Sequence, residues 1–216
     1  MLRRLAKFLR PALVLVAVFA VIGLAGVAYQ GLRTLQRLTF VEADRDRWQR
    51  PADIIRALDV KDGNVVVDFG SGAGYFTLKL SDAVGPKGEV IAVDLRNLSL
   101  QFLRIRALLQ RKRNIRIIVG EPDDPHLPDV IADSVLILNT YHELSNPQTI
   151  LRHISQALRR GGRLVIVDRS QAEHPLSPDM VEADLRQQGF ELIGREDSFI
   201  KDPEQDLWWL IMSTKR

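Results

Sequence analysis

Two acids and a cluster of glycines carry the first legible chemistry. Asp68 follows the apolar run Val65-Val66-Val67. Phe69 then leads into Gly70, Ser71, Gly72 and Gly74 before an amphipathic stretch resumes at Tyr75. The order is strand, glycine loop, helix. Chains use it where backbone must lie close against a small molecule, because a Cβ at those positions would fill the ligand's space. Asp94 closes a second apolar run, Glu89 to Asp94, 26 residues after Asp68. An acid there can accept hydrogen bonds from ribose hydroxyls. On the reacting side, Asn139-Thr140-Tyr141-His142-Glu143 follows a fourth apolar run. His142 is the candidate general base, since imidazole titrates near neutrality, and Glu143 is placed to orient it. Tyr141 and His142 fit equally well as packing residues beneath a ligand. His126, His153 and His174 lack metal-ligand spacing and there is no cysteine, so no metal is assigned.

These residues need a frame of alternating strands and helices. Expected strands are Val65–Phe69, Glu89–Asp94, Ile115–Val119, Val135–Asn139 and Arg163–Asp168. After the glycines, Phe76, Leu80, Ala83 and Val84 share one helical face. A helix from about Leu98 to Lys112 is expected to turn Leu98, Phe102, Ile105 and Leu109 inward. Asn146-Pro147 is a helix start whose buried stripe is Ile150, Leu151, Ile154, Ala157 and Leu158. Arg159 and Arg160 suit that helix's negative end, and Gly161-Gly162 stops it. A helix opening at Ser177-Pro178 precedes two extended runs, Phe190–Phe199 and Leu207–Ser213, which a short connection makes an antiparallel hairpin. Trp208 and Trp209 point to opposite faces, one into the core and the other exposed. Five β-α alternations imply a parallel sheet covered on both faces, a doubly wound α/β fold. Asp68 to Gly74, Asp94, Glu121 and Asn139 then meet at the carboxyl ends of the strands, where such sheets bind ligands.

The glycine spacing discriminates between cofactors. A dinucleotide loop, G-x-G-x-x-G, needs glycine at position 75, where this chain has Tyr75. An acid directly before the loop is also unexpected beside a pyrophosphate, because like charges repel. A cationic cofactor with an amino group, such as S-adenosylmethionine, removes that objection. Tyr75 and Lys79 form a Y-x-x-x-K pair inside the first helix, which we read as coincidence.

VVDFGSGAGYFT resembles motif I of the class I S-adenosylmethionine-dependent methyltransferases, and VIAVDL, ending in Asp94-Leu95, resembles their second motif. ALRRGGRLVIVD at 157–168 resembles the segment before and along their fifth strand. NTYHEL and DDPHLP look like a bacterial group close to the ubiquinone/menaquinone C-methyltransferase and arsenite methyltransferase types. The resemblance covers residues 52–216. It implies a Rossmann-like sheet of seven strands, order 3-2-1-4-5-7-6, with strand seven antiparallel. It also implies S-adenosyl-L-methionine as cofactor, with Asp68, Gly70, Ser71, Gly72 and Gly74 at the methionine moiety, Asp94 and Leu95 at the ribose, and Glu121 or Asp123 near the adenine. From the residues alone, Asp94 also fits a helix N-cap, and Glu121, Asp123 and Asp124 fit a solvated acidic loop.

The 216 residues suit one domain plus an appendage. From Pro11 to Leu32 there is no charged residue, a length that meets the roughly 20 residues of a bilayer-spanning helix. We read residues 1–32 as a basic start and membrane anchor. The alternatives are a cleaved signal peptide and a mitochondrial targeting sequence. Residues 33–51 read as a charged linker, within which Trp48 could anchor at the interface, cover a cofactor or pack on the domain. The excess positive charge lies in residues 1–10, and the remaining chain sums to −1, which gives no support to nucleic-acid binding. Arg104, Arg106, Arg111, Lys112 and Arg113 crowd the second helix and suit either a solvated helix end or anionic lipid. The expected enzyme is a membrane-anchored methyltransferase at the cytoplasmic face, acting on oxygen or carbon of a lipophilic or membrane-proximal small molecule. The other readings are a protein side-chain methyltransferase and a non-catalytic S-adenosylmethionine-binding module.

Overall fold

The structure is a computed structural model. It describes residues 2–169, 176–204 and 206–216, and the side chains of all of these except 2–12 and 14. The chain divides after Asp44 into two compact units.

The first unit is helix. Helix α1 runs Leu2–Trp48, and its described apolar side chains, such as Leu15, Phe19, Ile22 and Leu24, are exposed. By length and composition the segment Leu15–Trp48, 34 residues with a peak mean hydropathy of 2.0, can cross a bilayer. The helix continues to Trp48, and the second compact unit begins at Arg45.

The second unit follows the alternation read from the sequence. Helix α2 (Pro51–Ala57) precedes β1 (Val65–Phe69), α3 (Tyr75–Ala83), β2 (Glu89–Asp94), α4 (Asn97–Leu109) and β3 (Ile115–Val119). Then come β4 (Ala132–Leu138), a 3₁₀ turn at Tyr141–Glu143, α5 (Pro147–Ala157), β5 (Leu158–Arg169), α6 (Pro178–Gln187), β6 (Phe190–Lys201) and β7 (Leu207–Lys215). The sheet has seven strands in the order β3-β2-β1-β4-β5-β7-β6. β7 runs antiparallel to both β5 and β6, while the other pairings are parallel.

Because successive strand residues point to opposite faces, the sheet is buried on both sides. Val67, Ile91, Val135, Ile137 and Ile166 face α5 and α6, whereas Val66, Val90, Leu136 and Val165 face α2 and α3. The helix caps follow from the sequence. Asn146 accepts a hydrogen bond from the Thr149 amide at 3.3 Å, with Pro147 as the first helical residue, and Ser177 caps α6 in the same way.

Three expectations need correction. α4 buries Leu100, Leu103, Arg106 and Ala107, while Leu98, Ile105 and Leu109 face outward. The helix carries two opposed apolar stripes, and the periodicity cannot tell which one meets the sheet. α5 stops at Ala157 and β5 begins at Leu158, so Arg159 and Arg160 lie in extended chain and not at a helix end. Arg159 instead pairs with Asp133 at 2.5 Å. Trp208 and Trp209 do point to opposite faces, but both are buried because both faces are covered. Trp48 packs on the domain, its ring centroid 5.9 Å from that of Trp208.

Candidate functional site

The strand ends converge as the alternation requires, and Asp68 is the most constrained group among them. It is 3% exposed at the carboxyl end of β1, where its Oδ2 accepts a hydrogen bond of 2.5 Å from the Thr77 hydroxyl. Burial pushes its carboxyl up to about 6 against the opposing Thr77 hydrogen bond, with the nearby Asp94 charge adding to the rise. A buried acid in this condition gains by meeting a cation.

The glycine loop is shaped from two directions. Gly70, Gly72 and Gly74 all have left-handed backbone. A Cβ at Gly70 would collide with Thr140 and one at Gly74 with Leu103, so these two glycines serve packing within the chain. At Gly72 (φ 54°) a Cβ would enter open space, and there the constraint is the backbone angle itself. Asp94 fixes this loop. Its Oδ2 accepts from the Gly72 amide at 2.8 Å and its Oδ1 from the Arg96 amide at 2.7 Å. The Arg96 side chain also donates to Oδ1, through Nε at 3.3 Å, so about one of the carboxylate's roughly four acceptor sites remains for a ribose hydroxyl. Helix α4 braces the loop from behind, because the buried Arg106 guanidinium donates to the Ala73 carbonyl at 2.6 Å.

A pocket opens beside this loop. Its walls include Phe69, Gly70, Val93, Asp94, Leu95, Arg96, Gly120, Glu121, Pro122, Thr140, Glu143 and Leu144. Of the residues read from the sequence, Gly70, Asp94, Leu95, Glu121 and Glu143 are lining residues, whereas Asp123 stands exposed outside it. Two buried polar atoms nearby, Ser71 Oγ and Asn139 Oδ1, make no hydrogen bond within the chain. A cationic amino-acid cofactor fits this set. Asp68 would meet its ammonium, and the two orphaned atoms offer it further polar partners.

The residues after β4 separate into two roles. Tyr141 lies in the core rather than on the pocket wall, and its hydroxyl donates to Asp184 Oδ2 at 2.8 Å. Burial, with Asp184 beside it, drives its phenol upward. His142 is held by a partner missing from the expected site. Its Nδ1 lies 2.8 Å from Asp168 Oδ1 and its backbone amide donates to Asp168 Oδ2, whereas Glu143 stands 3.9 Å from Nε2. The Asp168 hydrogen bond raises the imidazole above its ordinary value against the opposing effect of burial. Asp168 was legible: like Asp68 and Asp94, it is an acid closing an apolar strand run. Thr140 gave no such signal, since its role is to wall Gly70. Among the described residues no group of three or more His, Asp or Glu could hold a metal ion, and His174 lies outside those residues.

The Y-x-x-x-K pair has a structural use. The Tyr75 hydroxyl and the Lys79 ammonium each meet Asp46 at 2.7 Å, and the Arg45 guanidinium lies 4.1 Å from the Tyr75 ring centroid.

Comparison with known proteins agrees with this geometry. A methyltransferase domain family model matches residues 60–209. The ubiquinone/menaquinone biosynthesis C-methyltransferase of Pseudomonas savastanoi pv. phaseolicola is 31% identical over 130 residues, 60% of this chain and 50% of that protein. A demethylmenaquinone methyltransferase of Lactococcus lactis is 29% identical over 151 residues, 68% of this chain and 54% of that one. The chain spans about half the length of the curated relatives it matches. Among solved structures, an S-adenosylmethionine-dependent methyltransferase from Aquifex aeolicus superposes with a TM-score of 0.72 at 20% identity, covering 84% of this chain and 98% of that one. A phosphoethanolamine N-methyltransferase of Haemonchus contortus superposes at 0.68, with 14% identity and 78% and 52% coverage. The chain belongs to the methyltransferase domain family: it is a class I S-adenosylmethionine-dependent methyltransferase resembling the ubiquinone/menaquinone type.

Proposed function

We propose that this enzyme methylates carbon or oxygen of a lipophilic, quinol-like small molecule at a membrane surface, with its catalytic domain on the cytoplasmic side, where S-adenosylmethionine is made. One observation carries the reading. His142, locked to Asp168, sits in the turn whose flanking residues Thr140 and Glu143 wall the pocket. S-adenosylmethionine supplies a methyl group already activated for in-line displacement. Asp68 holds its ammonium, the glycine loop and Ser71 receive its amino-acid end, and Asp94 with Leu95 takes the ribose. Glu121 stands near the adenine. Phe69, Pro122 and Leu144 give the pocket apolar walls that exclude water. The remaining task is to remove a proton from the acceptor hydroxyl, which activates a phenol-like ring toward carbon or oxygen methylation. His142 performs it. The exposed apolar part of α1 anchors the enzyme near such acceptors, and the likeness to quinone C-methyltransferases supports the same acceptor class.

Two assays test the proposal. Calorimetric titration of the full chain in detergent should show binding of S-adenosylhomocysteine and none of NADH; binding of NADH alone overturns the cofactor assignment. Methyl-labelled S-adenosylmethionine should then label a demethylated menaquinol in a solvent-extractable form. Protease-sensitive labelled bands with no extractable product would overturn the small-molecule reading.

A further inference from the structure

The outward face of α4 has no use in the fold or in the site. Leu98 is 72% exposed, Leu109 69% and Ile105 45%, and they share one stripe opposite the side that packs on the sheet. Leu95, 54% exposed at the pocket wall, extends the stripe to the mouth of the cofactor site. Contiguous exposed apolar side chains on a soluble surface mark an interaction face. The charge around this face is one-sided. From Leu95 to Gly120 there are seven basic residues and no acid. Arg106 is buried, Arg96 contacts Asp94, and Lys112 and Arg116 pair with Asp82 and Glu89 on other elements. Arg104, Arg111 and Arg113 remain as exposed charges around the stripe.

We infer that this face of α4 lies on an anionic lipid surface, with the leucine stripe seated at the acyl boundary and the arginines at the headgroups. An in-plane helix of this type combines apolar burial with attraction to anionic lipid. Three observations select lipid over protein. The segment Leu95 to Gly120 contributes arginines and no acid of its own to this face, which suits an anionic surface. A second copy docked face to face would set arginine against arginine. The same chain also carries a helix able to enter a bilayer. The consequence for the enzyme is direct: Leu95 and Arg96 join the docking face to the pocket wall, so a lipophilic acceptor would reach the pocket from the lipid. The inference deepens the proposed function through its membrane setting, yet it does not depend on which acceptor is methylated.

The absence of cysteine makes single labels unique. The full chain carrying Ile105→Cys, Leu98→Cys, Val18→Cys or Arg152→Cys is labelled with an environment-sensitive fluorophore and reconstituted into vesicles of phosphatidylcholine and phosphatidylglycerol, with or without brominated acyl chains. Labels at 98 and 105 should be quenched about twofold or more by brominated lipid, as for a helix seated at the acyl boundary. The label on exposed Arg152, on the opposite side of the sheet, should not be. Without phosphatidylglycerol the quenching at 98 and 105 should fall. If the position-18 label is quenched while those at 98 and 105 are not, the docking face is overturned and the anchor stands. If 98 and 105 are quenched and 18 is not, docking stands without the anchor. Energy transfer between α4 labels on two copies, with no lipid quenching, would assign the face to self-association and also overturn the inference. All four positions are exposed, so the melting temperature should be unchanged and serves as the folding control.

Discussion

Asp68 and Asp168 occupy equivalent places, each a buried acid at the carboxyl end of a central strand, and they are satisfied differently. Asp168 is paired within the chain: it takes the imidazole of His142, the His142 amide and the Arg169 amide. Among the described residues Asp68 is hydrogen-bonded by Thr77 and by no basic side chain, although the Arg45 charge attracts it from further off, and burial leaves its carboxyl hard to ionise. One acid is satisfied by folding, and the other would be completed by the cationic cofactor proposed for the site. The first sets the position and basicity of a side chain, and the second stores an unmet demand that a cation relieves.

Experiments can break or sharpen that contrast. The largest effect is expected for Asp68→Ala, which should weaken S-adenosylhomocysteine binding by about 100-fold or more in calorimetry, the scale of a lost charge-assisted bond in a buried site. Gly72→Val should do the same through backbone strain, because a β-branched residue resists the left-handed conformation at that position. Asp168→Asn should leave that affinity within a small factor while reducing methyl transfer on the order of 10²-fold. Removing the carboxylate lowers the His142 pKa, so the rising limb of the pH-rate profile should move to lower pH. Equal losses of cofactor affinity in the two variants would erase the distinction.

Stability gives the next effect. Because the folded pKa of Asp68 is raised to about 6, the folded state holds this proton more tightly than the unfolded chain. Its contribution is full below about pH 4 and is lost as pH rises through about 6. In the cofactor-free enzyme, Asp68→Asn should therefore be the more stable protein at pH 7, by up to roughly 3 kcal/mol for a shift of about two pH units. The advantage should vanish near pH 4. A stability difference independent of pH would show that the buried charge is not its cause. The smallest effect is Tyr141→Phe, which deletes the hydrogen bond to Asp184 and should cost about 1 kcal/mol of stability with little change in turnover.

Much of this arrangement was legible in the sequence, and the failures are instructive. The bounds of β1, β2 and β3 followed from β-branched runs closed by glycine or acid. Asn146-Pro147 marked its helix start because cap chemistry is local. The face of α4 did not follow, because its helix carries two apolar stripes and only the tertiary partner selects one. Charge and the Gly161-Gly162 pair point to a helix end at Arg159 and Arg160, where the strand pairing of Leu158 with Ala132 takes precedence. Adjacency points to Glu143 as the partner of His142, whereas the fold supplies Asp168 from 26 residues away. Local signals located the elements and the glycine loop. Contacts across the sheet assigned the roles.

The latch formed by Asp46 with Tyr75 and Lys79 bears on how this enzyme is to be handled at the bench. A shortened form designed to dispense with detergent is most naturally cut at the first residue of α2, since the helix ahead of it includes the segment long and apolar enough to cross a bilayer. Such a fragment would lose Asp46, Arg45 and the indole that covers Trp208. It would expose an aromatic core residue and free the first turn of the helix that follows the glycine loop. A fragment beginning at Arg45 keeps all three contacts. The six residues by which these two fragments differ, 45–50, decide whether the excised domain is a fair substitute for the native enzyme or a sticky, poorly ligand-binding remnant.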